Sequence, residues 1–347
     1  MSKRALLALA ATALAALMTA ALGSAAAPAH GQLVVTSPVM RSGAASAPTI
    51  TTIQAPNTYR TTVYVPAGYR AAGGLGAVGA MVGKATIFVN DSDGSRTTLN
   101  GLLTVTAPSN YASDSCSTAS TKHAAVWLLS ATQTQGAAAA ELPIYVDNHR
   151  SDPSLPAAFA YRLQWCAGAT GLNIGEVDLH LVRMFDNPDA RGMYLWRAVY
   201  DPVASSGKAI ESATGTGVAA AVPIDAQTTM KWERARQGYI TFSGKVSVVN
   251  QPLAGVKVQI YAGHSAKLAA SRARATVRTN ANGTYRVTVH LTGNALWYAR
   301  ARASTPYRDI TAGGGCSAAA EPVLAAQNCV DATLAPFNLL TRVQKVL

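Results

Sequence analysis

Between residues 256 and 291, apolar and polar side chains change places almost residue by residue. Val256, Val258 and Ile260 alternate with Lys257, Gln259 and Tyr261. Arg272, Arg274, Thr276 and Arg278 alternate with Ala273, Ala275 and Val277. Tyr285, Val287, Val289 and Leu291 alternate with Arg286, Thr288 and His290. A period of two sorts the two kinds of side chain onto opposite faces of a strand, whereas on a helix it makes no stripe. The segment therefore reads as half-buried antiparallel strands. Gln251-Pro252-Leu253-Ala254-Gly255 and Asn280-Ala281-Asn282-Gly283 supply the turns. Such strands, recurring at short spacing without helical runs, predict a small β-sandwich.

Within this segment, Ser243-Gly244-Lys245-Val246 and then Pro252-Leu253-Ala254-Gly255-Val256-Lys257-Val258 resemble the opening of bacterial carboxypeptidase regulatory-like and collagen-adhesin B-type modules. Thr279-Asn280-Ala281-Asn282-Gly283-Thr284-Tyr285 is similar to their Thr-Asp-x-x-Gly-x-Tyr/Phe turn, with Asn280 where Asp is usual. The resemblance covers residues 239–303, less than a quarter of the chain. It implies a non-catalytic, prealbumin-like or immunoglobulin-like sandwich. Some adhesin relatives carry a Lys–Asn isopeptide bond promoted by a buried carboxylate. Glu233 is the only acid between 231 and 308, which argues against that crosslink here.

The first half shows candidate strands at 61–65, 85–89, 99–106, 124–129, 142–146, 159–165, 177–185 and 194–200, with Pro, Gly, Asn, Asp and Ser between nearly all of them. That pattern indicates a sandwich or open barrel rather than alternating strands and helices. The Ala-rich run 136–141 allows one short helix. Residues 201–230 are either a last edge strand or a linker. Trp127, Trp165 and Trp196 sit in apolar strand runs and read as core.

The N-terminus predicts export. Lys3 and Arg4 precede an uncharged Ala/Leu-rich run over 5–22, followed by the small residues Gly23-Ser24-Ala25-Ala26-Ala27. These are the parts of a secretory signal peptide, taken as residues 1–29. No second run of that length follows. Cys116, Cys166, Cys316 and Cys329 contain no C-x-x-C pair, so disulfides fit them better than a metal or redox motif. Of the three possible connectivities, proximity favours Cys116–Cys166 and Cys316–Cys329. The expected fold class is all-β, with two tandem antiparallel sandwiches after the signal peptide. Their bounds are 30–200 and 231–308, with 201–230 between them and a disulfide-bearing tail, 309–347, packed on the second.

Charge falls unevenly on this scheme. The chain has 29 Lys+Arg and 17 Asp+Glu, a net +12. Without Lys3 and Arg4 this is 27 against 17, or +10. Residues 30–230 hold 12 bases and 13 acids, 231–308 hold 13 bases and one acid, and 309–347 hold two bases and three acids: −1, +12 and −1. The basic excess belongs to the second sandwich alone. Charged residues are only 13% of the chain and hydrophobic residues 49%, which excludes a disordered polyelectrolyte. Aromatics at 7% are too few for a nucleic-acid stacking platform along the chain.

Arg272, Arg274 and Arg278 share one side of a strand, and Arg286, Arg300 and Arg302 lie on the polar sides of others. Converging on one sheet, they would make a plate for an anionic envelope polymer. The competing account is that exposed strands carry charge for solubility and edge protection. Another envelope protein is the alternative partner. No cofactor, metal or specific nucleic acid is implied.

Signals for catalysis are sparse. The six His form no H-x-x-x-H pair, and no G-x-S-x-G elbow occurs. Ser205-Ser206-Gly207-Lys208 fits a bare S-x-x-K but lacks its companion motifs. His123, Asp147 and Ser115 or Ser117 are the members of a conceivable triad. Glu176 and Asp178, two apart on one strand, are the nearest approach to a glycosidase pair. Asn90-Asp91-Ser92-Asp93-Gly94-Ser95 resembles half a calcium loop, but its twelfth position is Leu102, and a hairpin turn reads better. The expected function is a secreted or cell-envelope binding or structural protein, not an enzyme. The rival reading is a secreted hydrolase with its site in the N-terminal domain.

Overall fold

The computed structural model describes residues 31–55, 57–111, 116, 122–133, 139–203, 216–249, 251–268, 272–292, 296–305, 316–317 and 333–346. The signal segment, Ser115, Ser117, the Ser205–Lys208 motif and the Cys316–Cys329 pairing lie outside them. Among the described residues there is no α-helix; the regular structure is β-strand apart from two short 3-10 turns.

Among the described residues, eleven strands build the main sheet of the first half: β1 (Gln32–Thr36), β2 (Thr49–Ile53), β3 (Thr58–Pro66), β4 (Met81–Asn90), β5 (Arg96–Thr106), β6 (Ala125–Gln133), β7 (Ala139–Asn148), β8 (Phe159–Trp165), β9 (Ile174–Leu181), β10 (Gly192–Pro202) and β11 (Thr216–Ile224); Ala45–Ser46, Arg70–Ala71 and Phe185–Asp186 form a small separate sheet. The eleven pair antiparallel in the order β1-β2-β9-β4-β5-β6-β7-β8-β3-β10-β11. The sheet folds over until β1 lies beside β11, where the Tyr200 hydroxyl donates to the Gln32 carbonyl at 2.5 Å. Inward positions close one core, with Trp127, Trp165 and Trp196 fully buried in it.

All eight expected strands are present. The run 177–185 is broken after Leu181: Arg183 takes a φ of 51°, and Phe185–Asp186 pairs separately. Two further strands, β1 and β2, carry buried residues on both faces and so show no alternation. Within 201–230, Thr216–Ile224 is a strand paired along β10. The short helix allowed by the Ala-rich run does not form over 139–141. Ala139, Ala140 and Glu141 pair with Thr132, Ala131 and Ser130, and three residues are too few to nucleate a helix against such a ladder.

The second half is a smaller sandwich of β12 (Lys231–Arg236), β13 (Tyr239–Val248), β14 (Lys257–Gly263), β15 (Ala273–Arg278), β16 (Thr284–His290), β17 (Tyr298–Ser304) and β18 (Asn338–Leu340). One sheet runs β12-β13-β16 and the facing sheet β15-β14-β17-β18. First, second and fifth strands thus face fourth, third, sixth and seventh, which is an immunoglobulin-like arrangement. Ile240, Phe242, Val258, Ile260 and Val289 meet in the core. Ala299, Ala301 and Ala303 of β17 are small, and Phe337 and Trp297 pack into the same cluster.

Residues 333–346 pair with strands of both sandwiches. Thr333–Leu334 pairs in parallel with β11, and Ala335 N–H donates to Ala221 C=O at 2.7 Å. A few residues on, Asn338–Leu340 and Gln344–Lys345 pair with β17. Cys316–Ser317 pairs with β11 at Thr216–Gly217; at Ala220–Ala221 the edge would otherwise present bare backbone groups.

The Thr279–Tyr285 motif has a clear local role. Asn280 Oδ1 accepts from the N–H groups of Asn282 and Thr284, both at 3.0 Å, and from the Thr284 hydroxyl at 2.9 Å. Gly283 has a φ of 68°, and a Cβ there would meet Val246 O at 2.6 Å. The Tyr285 hydroxyl donates to Thr229 C=O at 2.7 Å. Every one of these acceptor duties suits a carboxylate as well. Asn280→Asp will therefore leave the midpoint of denaturant unfolding nearly unchanged, while Asn280→Ala lowers stability by about 1–2 kcal/mol.

On the outer side of β3 and β10, Arg60 Nε lies 2.8 Å from Asp201 Oδ2, both side chains under a tenth exposed. Burial pushes the Asp201 carboxyl above its ordinary value even beside this guanidinium. Removing only the cation leaves a buried charge, a loss of about 3–5 kcal/mol. A raised acid pKa favours the folded state at low pH, and that advantage fades as pH climbs through the folded value. Arg60→Met raises it further. Its destabilisation, measured by urea titration, will therefore be largest near neutrality and smallest at acid pH, and Arg60→Met/Asp201→Leu will recover much of it.

Candidate functional site

The outward positions of the β15-β14-β17-β18 sheet hold part of the basic excess of the second sandwich; Lys231, Arg234, Arg236, Lys245 and Arg286 belong to the opposite sheet. Val258, Ile260, Ala299, Ala301 and Ala303 point inward and are fully buried, so Lys257, Gln259, Tyr261, Arg300, Arg302 and Ser304 point out. Lys257 pairs with Arg278 on one side and Ser304 on the other; Gln259 faces Arg302, and Tyr261 faces Arg300. Lys345 joins beside Tyr298, and Arg272 stands exposed just before β15. At a bulge, Arg274 Nε donates to Ala262 C=O at 3.3 Å, and its guanidinium lies 5.4 Å from the Trp297 ring centre. Arg302 Nε donates to Asn338 Oδ1 at 2.9 Å, and Arg278 Nη1 to Gly255 C=O at 2.9 Å. None of these four strands contains Asp or Glu.

Four of the six expected arginines, Arg274, Arg278, Arg300 and Arg302, thus share one sheet face, and Arg272 stands exposed beside it. Arg286 lies elsewhere. It belongs to β16 in the opposite sheet, where it is ion-paired with Glu233. His290, from the same strand, stacks on Tyr239 with ring centres 4.5 Å apart. Strand alternation showed which residues faced solvent but not which sheet each strand would join. Lys257 and Lys345 complete the face. Lys257 was legible from its alternation with Val256 and Val258; Lys345 lies in a tail with no period.

The cationic face ends at a cleft of about 830 Å³ between the two sandwiches. Its walls are the 37–41 loop, the junction at Asp225 and Ala226, the end of β17 with Arg302 and Ser304, and the tail around Phe337. Ser42 Oγ donates to Asp225 Oδ2 at 2.5 Å, and Asp225 N–H donates to Met40 C=O at 2.8 Å.

The catalytic candidates take structural positions. His123 Nδ1 is 2.9 Å from Asp147 Oδ1, a proximity that spacing alone did not show. Yet Asp147 is fully buried, and its other oxygen lies 3.1 Å from Arg162 Nη2, which also lies 3.1 Å from Asp152. In a triad the nucleophile meets the far imidazole nitrogen. Here the Ser151 hydroxyl donates to Asp147 itself, at 3.3 Å. Glu176 is buried and ion-paired with Arg96, which lies over the Phe88 ring. Asp91 and Asp93 close the β4–β5 hairpin: Asp91 Oδ2 accepts from Ser95 and Thr97, and Asp93 Oδ1 from the Ser95 N–H. Cys116 and Cys166 form a disulfide. It clusters with Val126, Tyr145 and Tyr111 on the outside of the first sheet. A recess of about 250 Å³ beside it is lined by Glu141 together with Tyr111, Leu128 and Thr170.

No protein-family model matches the chain, and no curated protein does. Among solved structures, the chain is similar to the D0-D1 domain of Intimin at 14% identity, over 90% of this chain and 100% of that one, with a TM-score of 0.19. A superposition that loose adds nothing to the topology already described.

Proposed function

We propose that the protein is an exported, non-catalytic binding protein whose β15-β14-β17-β18 face engages linear anionic polymers of the cell envelope. The supporting observation is where the cations stand. Arg272, Arg274 and Arg278 lie at an edge strand, where charge for edge protection would account for them. Lys257, Arg300 and Arg302 lie on β14 and β17, which are paired on both sides and have no edge to protect. Arg300 and Arg302 stand about 7 Å apart along β17, and Lys257 stands about 5 Å across from Arg278, with no Asp or Glu in these strands, so these positives are held near one another. A polyanion relieves their repulsion and releases its own counterions. The signal-like N-terminus and the Cys116–Cys166 disulfide support an oxidising, extracellular setting. The sandwich of β12–β18 also fits the carboxypeptidase regulatory-like resemblance, whose modules are non-catalytic.

Binding to immobilised polyphosphate will weaken steeply as salt rises from about 50 to about 500 mM. In the Arg272→Ala/Arg274→Ala/Arg278→Ala variant the slope of log K against log salt will drop by about 2, roughly 0.7 for each cation removed. Salt-independent binding, or a variant indistinguishable from the parent protein, would overturn the reading.

A further inference from the structure

The cleft differs from the open face in having two kinds of wall. Arg41, on the first sandwich, is exposed and makes no side-chain hydrogen bond or ion pair among the described residues. Across from it, Arg302 uses Nε on Asn338, and its two terminal nitrogens make no hydrogen bond or ion pair among the described residues. The carboxylate in the cleft, Asp225, already accepts from Ser42. Between these groups, half-buried Met40 presents apolar surface, backed by the edge of the largely buried Phe337, and Ser304 lies among them. Met40 also packs against both cores.

An occupant must therefore offer a negative charge to two guanidiniums, an apolar face to Met40 and Phe337, and hydroxyls for the polar rim. Phosphate chains have no apolar face, so they would leave that surface wet and gain nothing from it. A ring that carries a carboxylate, C–H faces and hydroxyls meets all three demands. Arg302 belongs to the cleft and to the basic face at once, so a chain lying on the face can place one unit in the cleft. We infer that the cleft seats a uronic-acid unit, and that the polymer bound along the face is an acidic polysaccharide. This rests on the polyanion reading above and sharpens it to one polymer class.

The test uses the whole protein labelled with ¹³C-methyl methionine and titrated with tetragalacturonate. The Met40 methyl resonance will shift and saturate, while Met81, more than half exposed on the first sandwich, stays in place. Arg41→Ala will weaken the saturation roughly tenfold, the loss of one charge-assisted bond. Unchanged Met184 and Met230 resonances will show that the variant is folded. If tetragalacturonate binds in an Arg278-dependent way and Met40 does not move, the cleft assignment fails and the basic face stands. If polyphosphate shifts Met40 as strongly, the acidic-sugar assignment fails. If neither probe binds at all, both readings fall together.

Discussion

Everything distinctive about this molecule depends on the backbone ladder made by residues 333–346. Thr333–Leu334 adds a parallel strand to β11, and Asn338–Leu340 and Gln344–Lys345 add antiparallel strands to β17. Thr305 fixes the step between them. Its hydroxyl donates to Ala335 C=O at 3.1 Å and accepts from Phe337 N–H at 2.9 Å. Phe337 then packs with the three alanines of β17, where a larger strand residue would have left no room. Without this segment β17 would be an edge, the second core would lose Phe337 and Val346, and the cleft would lose a wall.

That arrangement also explains the charge pattern. Antiparallel pairing on both sides of β14 and β17 turns their polar sides into the middle of a sheet face, so the arginines and lysines form a field rather than a fringe. The one acid of the module, Glu233, sits on the other sheet against Arg286, where it cannot neutralise this face. The first sandwich differs: its outward Arg60 and Arg162 are buried against Asp201, Asp147 and Asp152. The first sandwich pairs these charges internally, whereas the second leaves its surplus exposed at Arg272, Arg274 and Arg278 and half-buried at Lys257, Arg300 and Arg302.

Strands with strict alternation, or with aromatic and β-branched runs between turn residues, were legible in the sequence even where, as in β3 and β8, both faces are buried. β8 and β14 announce themselves by alternation, or by an aromatic run between turn residues. β1, β2 and β11 are buried on both faces, and their Val, Thr and Ala runs carry no period to read. The basic residues were legible one strand at a time. Their division between two sheets was not, because strand order is decided by pairing across long stretches of chain. The cleft was invisible for the same reason. Arg41 and Arg302 are brought together only by the tail and the Asp225 junction. His123 and Asp147, 24 residues apart, met for a reason spacing could not supply: Asp147 needed partners for a fully buried carboxylate.

The central claim is that one particular sheet face, and not positive charge in general, is the binding surface. The most direct test is to follow the arginine Nε–H resonances of the folded protein while a polyanion is added. The account predicts that Arg274, Arg278, Arg300 and Arg302 shift together and that Arg286, on the opposite sheet, does not. Equal shifts at Arg286, or shifts at none of the five, would contradict it.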